Sequence, residues 1–285
     1  MYKKGDIYSK QNYRPTSIGF GEQKSTTTAI QSFIERIQEA LANGLQAIGI
    51  FFNLIKAYYV LNHRVLLNKL YSYGVRGNIN SWFKSYLTDQ KQFVEINQSS
   101  HINSEQQKCI SSCKVLKCGV PQGSVLGPLL FFIYINDLPL NVEDGQLVLF
   151  VDDINLLIIE RDENVLQHKV NKVKKKVEYW FQKNNLMINN GKTVAMSYYT
   201  EPNRFLIRPK ITYRNTDIPY KSDTKFLGNN ITENLKWTTH ICILRQQLSK
   251  VYYIIKLVEG IMGLGMIRSF YHSKFESLVR YGIIF

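Results

Sequence analysis

The chain has 285 residues, 45% of them hydrophobic, which is enough for one large domain or one body with small lobes. Its net charge of +14, from 36 Lys+Arg against 22 Asp+Glu, calls for a polyanionic partner: nucleic acid, or less readily an anionic membrane surface. Four cysteines (Cys109, Cys113, Cys118 and Cys242) are too few for a disulfide framework, and the x3 and x4 gaps among the first three suit zinc poorly. The first residues, MYKKGDIYSK, contain no apolar run of the secretory kind, and the longest apolar stretch, Leu129–Ile135, is far too short to span a bilayer. The expectation is an intracellular protein without a membrane partner.

In chain order, residues 1–25 are polar, carry Pro15, Gly19 and Gly21, and read as irregular. From Thr26, Ile30, Phe33, Ile34, Ile37 and Leu41 fall on one helical face, with Asn43-Gly44 as the stop. Leu45 to Phe52 is short and apolar, a buried strand that delivers Asn53 at its C-terminal end. Helices are expected from His63 to Tyr73 and from Ile79 to Leu87, and paired strands over Lys91–Asn97 and Lys108–Lys117. Ser124 to Leu138 reads as a buried helix with Pro128 in its first turns, where proline is tolerated.

Leu147 to Ile159 is two apolar runs folded about Asp152-Asp153, the pattern of a hairpin. Carboxylates at such a turn need a positive neighbour, because buried unpaired charge is costly, and a metal ion is the natural candidate. Leu166, Val170, Val173, Val177 and Trp180 then form a helical stripe. Lys169, Lys172, Lys174, Lys175 and Lys176 crowd its other faces, and a solvated helix back explains them better than direct nucleic-acid contact. Strands are expected near Val194–Tyr199 and Lys225–Ile231, with helix again from Thr238.

Five motifs occur in order: Asn12-Tyr13-Arg14-Pro15, Asn53-Leu54-Ile55-Lys56-Ala57-Tyr58, Gly119-Val120-Pro121-Gln122-Gly123-Ser124, Phe150-Val151-Asp152-Asp153 and Lys225-Phe226-Leu227-Gly228. Together they resemble the reverse transcriptase domain of non-LTR retrotransposons, closest to the Jockey-like group, over nearly the whole chain. That resemblance implies an α+β, right-hand polymerase: a truncated fingers segment in 1–44, palm in 45–75, a fingers insertion in 76–118, palm again in 119–235 and a partial thumb in 236–285. It implies nucleotidyl transfer to a primer 3′-hydroxyl with two Mg2+ ions (Mn2+ being an alternative), an RNA template, a DNA primer and deoxynucleoside triphosphates. By the same resemblance the protein would work in the nucleus or cytoplasm.

Site roles follow position by position. Asp152 and Asp153 would hold the metals. Tyr58 would sit under the incoming sugar and exclude a 2′-hydroxyl, although a core aromatic is an equal reading of that residue alone. Gln122 would lie near the nascent base pair, with Pro121 and Gly123 allowing close backbone approach. Lys192 would assist the leaving pyrophosphate, Lys24 would reach the phosphates, and Phe226, Leu227 and Gly228 would form the primer grip. The family's first metal-binding aspartate is Asn53 here, its second aspartate in that motif is Tyr59, and its phosphate-side arginine is Gly21. Asparagine offers one neutral oxygen and no negative charge, so impaired catalysis is expected, with a non-catalytic nucleic-acid-binding remnant as the alternative.

Overall fold

A computed structural model describes residues 25–99, 106–121, 123–142, 144–150, 153–200 and 208–283. Expectations that fall on Lys24, Gln122, Val151, Asp152 and residues 1–23 lie outside them. Helix α1 (Thr26–Ala42), strand β1 (Gln46–Phe52), α2 (His63–Ser72) and α3 (Gly77–Leu87) come first. Four short strands follow: β2 (Lys91–Gln92), β3 (Glu95–Ser99), β4 (Gln106–Ile110) and β5 (Lys114–Val115). Next are α4 (Leu126–Ile135), α5 (Leu138–Asn141), β6 (Gln146–Phe150), β7 (Asp153–Glu160), α6 (Glu163–Lys183) and β8 (Val194–Tyr198). Two hairpins, β9 (Thr212–Tyr213) with β10 (Thr216–Asp217) and β11 (Asp223–Phe226) with β12 (Asn229–Thr232), precede α7 (Thr238–Val258), α8 (Leu264–Phe270), a π-helical turn (Tyr271–Glu276) and α9 (Ser277–Gly282). The mixture of helices with antiparallel sheets bears out the α+β class.

The chain divides into two compact units. One draws on the chain up to Asn53, on Pro139–Glu178 and on the chain from Ile188; the other on Leu54–Leu138 and Tyr179–Met187.

The first unit is built on a four-stranded antiparallel sheet in the order β6-β7-β1-β8. Six of the seven β1 residues are buried because both faces of the sheet are covered, which explains its unbroken apolar run. On one face α1 lays down Ile30, Phe33, Ile34 and Ile37 against Phe51, Val148, Leu157 and Met196. Ser25 starts that helix with a capping box, its side chain accepting from the Thr28 N–H while Thr28 Oγ1 accepts from the Ser25 N–H. On the opposite face Ile50, Phe52 and Leu156 border a small cavity with Val177 of α6 and with Ile211, Tyr213 and Ile218.

The α6 lysines are mostly paired. Lys169 meets Glu160, Lys172 and Lys176 meet Asp144, and Lys174 donates to Thr212 Oγ1. These bonds tie the helix to Glu160, Asp144 and Thr212, and Lys169, Lys174 and Lys176 are only partly exposed, so this face is less freely solvated than the sequence suggests.

In the second unit α2, α3 and α4 bury Leu66, Leu70, Leu87, Leu130, Phe131 and Ile135. Lys69 lies between two rings, its Nζ 4.9 Å from the centre of Tyr134 and 4.8 Å from that of Trp180. It donates to Asp137 at 2.6 Å, and burial holds its ammonium below the ordinary lysine range despite that partner. The expected long pair over 91–97 and 108–117 is instead two separate ladders, β2 with β5 and β3 with β4. They are interrupted where Val94 and Ser111 exchange bonds through the Ser111 N–H and Oγ.

Tyr134 is fully buried; its hydroxyl donates to the Asn184 carbonyl at 2.7 Å. Burial pushes this phenol up to about 12 from 10.0. Because the folded value is raised, the contribution to stability is complete below pH 10 and is lost as pH rises toward about 12. The urea midpoint is therefore expected to fall above pH 10, and to fall less steeply in Tyr134→Phe; parallel curves would contradict this.

Candidate active site

The register of the central sheet constructs the site. β1 pairs with β7 through Phe52↔Ile154 and with β8 through Phe51↔Val194. Carried on, the two registers set Asn53 between Asp153, one step beyond the β7 ladder, and Lys192, two steps beyond the β8 ladder. Side chains alternate along a strand, so Phe51 and Asn53, like Asp153 and Asn155, belong to the face beneath α1. Phe51, Phe52, Asn53, Asp153, Asn155 and Lys192 line one cavity, whose remaining wall is Thr224 to Leu227.

Asn53 is held by its backbone. Its N–H donates to Thr193 Oγ1 at 3.1 Å, and its carbonyl accepts from the Asn189 N–H at 2.7 Å. Thr193 is completely buried, so that anchor is firm. The Lys192 N–H donates to the Asn189 carbonyl at 3.1 Å, which folds the turn before β8 against the end of β1. Strands β6 and β7 close their ladder at Phe150↔Asp153. Asn155 is buried and donates through Nδ2 to the Val148 carbonyl.

The described ionisable groups on the cavity wall are one carboxylate, Asp153, and two ammonium groups, Lys192 and Lys225. Among the described residues no group of three or more His, Cys, Asp or Glu side chains gathers to hold a metal. Two hard-oxygen donors are present all the same, the Asp153 carboxylate and the Asn53 amide oxygen.

Phe226 and Leu227 reach the cavity because β11 and β12 are joined by the two-residue turn Leu227-Gly228, with φ +46° and +93°. Both are left-handed, the pattern of a tight hairpin turn that favours Asn-Gly. The remaining expected site residues belong to the second unit. Tyr58 is half-buried with its ring 5.2 Å from Phe131, and its carbonyl accepts from the Val120 N–H at 2.8 Å. Gly119 has φ +86°, and a Cβ there would lie 2.7 Å from the Tyr59 carbonyl oxygen, so glycine is required. Beyond it Pro121 accepts from Ser124 Oγ at 2.8 Å, and Gly123 also has φ +86°.

The structure thus brings together Asn53, Asp153, Lys192, Phe226 and Leu227 in one cavity, and Tyr58, Pro121 and Gly123 in another stretch of the fold. Sequence reasoning missed Asn189, Thr193 and Asn155, whose parts depend on register. The one local signal was Asn155, two residues after Asp153 on the same strand face. Among the described residues no helix is long and apolar enough to cross a membrane.

Residues 3–231 match the family model described as reverse transcriptase (RNA-dependent DNA polymerase). A probable RNA-directed DNA polymerase from transposon BS of Drosophila melanogaster is 25% identical over 85% of this chain and 27% of its own length. The RNA-directed DNA polymerase from mobile element jockey of the same organism is 25% identical over 93% of this chain and 29% of its own length. The chain therefore spans under a third of the length of these relatives. Among solved structures, apo telomerase from Candida tropicalis is similar at 18% identity and a TM-score of 0.49, covering 76% of this chain and 40% of that one. The chain belongs to the reverse transcriptase (RNA-dependent DNA polymerase) family, as a reverse transcriptase domain of the non-LTR retrotransposon kind.

Proposed function

We propose that this domain binds an RNA template with a DNA primer and is built to add deoxynucleotides to the primer 3′-hydroxyl, with that chemistry weakened by Asn53. The observation that carries the reading is the row Asp153, Asn53, Lys192 across three neighbouring strand ends, facing Phe226 and Leu227 over one cavity.

Reverse transcriptases generally use divalent metal ions, and the donors here fit Mg2+ with one carboxylate fewer than a two-ion site wants. Asp152 and Asp153 would supply the carboxylates and Asn53 a neutral oxygen. When bound, the ions would neutralise charge on the attacking and leaving oxygens. Lys192, on the wall of the same cavity, would give a proton to, or steady, the departing pyrophosphate. By the family resemblance, Tyr58 would limit the sugar by bulk, Pro121, Gln122 and Gly123 would serve the nascent pair, and Lys24 would serve the phosphates. Phe226, Leu227 and Gly228 hold the primer end. In this reading the sheet of the first unit is palm, residues 76–118 are a fingers insertion, and 236–285 are thumb.

The second reading, a non-catalytic nucleic-acid binder, is favoured by the charge of +14 together with the missing carboxylate. Both predict binding of a primer–template duplex that weakens tenfold or more, by an order-of-magnitude estimate, as salt rises from about 50 to about 200 mM. Fluorescence anisotropy measures it, and salt-independent binding, or none, would overturn both. Extension of the primer by the native chain or by its Asn53→Asp variant selects the first reading. Extension by neither selects the second.

A further inference from the structure

The turn Leu227-Gly228 places a leucine in left-handed backbone, which is unfavourable for residues with a Cβ other than Asn and Asp, and contacts from outside the hairpin offset that cost. Two side chains from the C-terminal helices do so. The Tyr281 hydroxyl of α9 donates to the Leu227 carbonyl, and its ring lies against Gly228, where an added Cβ would meet it at 3.1 Å. Two residues after Gly228, on β12, the Asn230 N–H donates to Nδ1 of His240 at 3.4 Å. That leaves Nε2–H of the same ring to donate to the Gly282 carbonyl at 3.0 Å. His240 is buried in the first turn of α7, so it is a fixed strut between the hairpin and the end of α9.

We propose that Tyr281 and His240 are positioning residues for the primer terminus: they set the height of the Leu227-Gly228 turn and hence the wall that Leu227 presents to Asn53, Asp153 and Lys192. Neither residue lines the cavity, so they act on it through the turn. The inference rests on the reverse transcriptase reading above. It adds that the C-terminal helices govern the site through one hydroxyl and one imidazole.

The test uses the full chain and two probes, an RNA-template/DNA-primer duplex with a recessed 3′ end and the same RNA as a single strand. Tyr281→Phe keeps the ring over Gly228 and removes the bond to Leu227. It is expected to weaken duplex binding about fivefold while single-strand affinity stays near native, with no more than the small fall in urea midpoint that one neutral hydrogen bond carries. His240→Ala should act in the same direction, and His240→Gln, which can still accept and donate, should restore binding. In a Leu227→Asn background, where the turn suits its residue, the Tyr281→Phe loss should shrink toward nothing. Unchanged duplex affinity in Tyr281→Phe, or an equal loss on both probes, would overturn the assignment. If the native chain binds the single strand but not the duplex, the primer-extending reading itself fails and this inference falls with it.

Discussion

Replacing Asn53 by aspartate is expected to raise the rate of primer extension on an RNA template by about a thousandfold, roughly 4 kcal/mol of transition-state stabilisation. Three features make the substitution a clean one. Asparagine and aspartate have the same shape, and the Asn53 backbone is clamped by Thr193 Oγ1 and the Asn189 N–H, so the new carboxylate takes the direction of the old amide. The charge then lands beside Asp153, where the described wall carries two ammonium groups and one carboxylate. A third feature is chemical: a carboxylate binds Mg2+ with full charge and either oxygen, whereas the amide offers one neutral oxygen. The measurement is extension with Mg2+ by the native chain, Asn53→Asp, and Asn53→Asp combined with Asp153→Asn. Strong extension by the single variant, lost again in the double, supports a metal-holding row. Equal extension by native and Asn53→Asp would show that the missing charge does not limit the reaction.

How legible this arrangement was depends on the range of the interactions involved. Helix α1, helix α6, strand β1 and the β6–β7 hairpin could be read because each writes its own period: Ile30, Phe33, Ile34 and Ile37 repeat as a helix face, and Phe150 and Asp153 close the hairpin ladder. The row Asp153–Asn53–Lys192 was legible only as three separate motif residues. What aligns them is strand order, since β1 lies between β7 and β8, and no local pattern encodes that order. The β9–β10 hairpin escaped notice because its turn, Arg214-Asn215, adopts φ +47° and +63° without a glycine. The ladder breaks at Val94 and Ser111 were hidden for a similar reason, since both flanks alternate like continuous strand. Tyr281 and His240 lay furthest from view. Tyr281 acts on Leu227 across 54 residues, and an aromatic and a histidine on helices read first as packing.

Phe33→Ala is expected to destabilise the chain by about 3–5 kcal/mol, against the roughly 5–15 kcal/mol that holds a typical domain folded. The ring is completely buried on α1, and its centroid is 5.8 Å from that of Phe51 and 4.9 Å from that of Phe226, which are themselves 5.6 Å apart. One helix, the central strand and the β11–β12 hairpin thus meet in a single aromatic cluster. Phe51 sits two residues before Asn53, and both Phe51 and Phe226 line the Asn53 cavity, so Phe33 supports the site from behind. Urea unfolding followed by circular dichroism gives the stability loss, and Phe33→Leu, which leaves a smaller void, should lose less. The informative comparison places each change in the Asn53→Asp background under conditions where the protein remains folded. If Phe33 contributes stability alone, extension per folded molecule is unchanged. A further loss per folded molecule would show that the ring also fixes Phe51 and Phe226, making the α1 core part of what places Asn53 opposite Phe226 and Leu227.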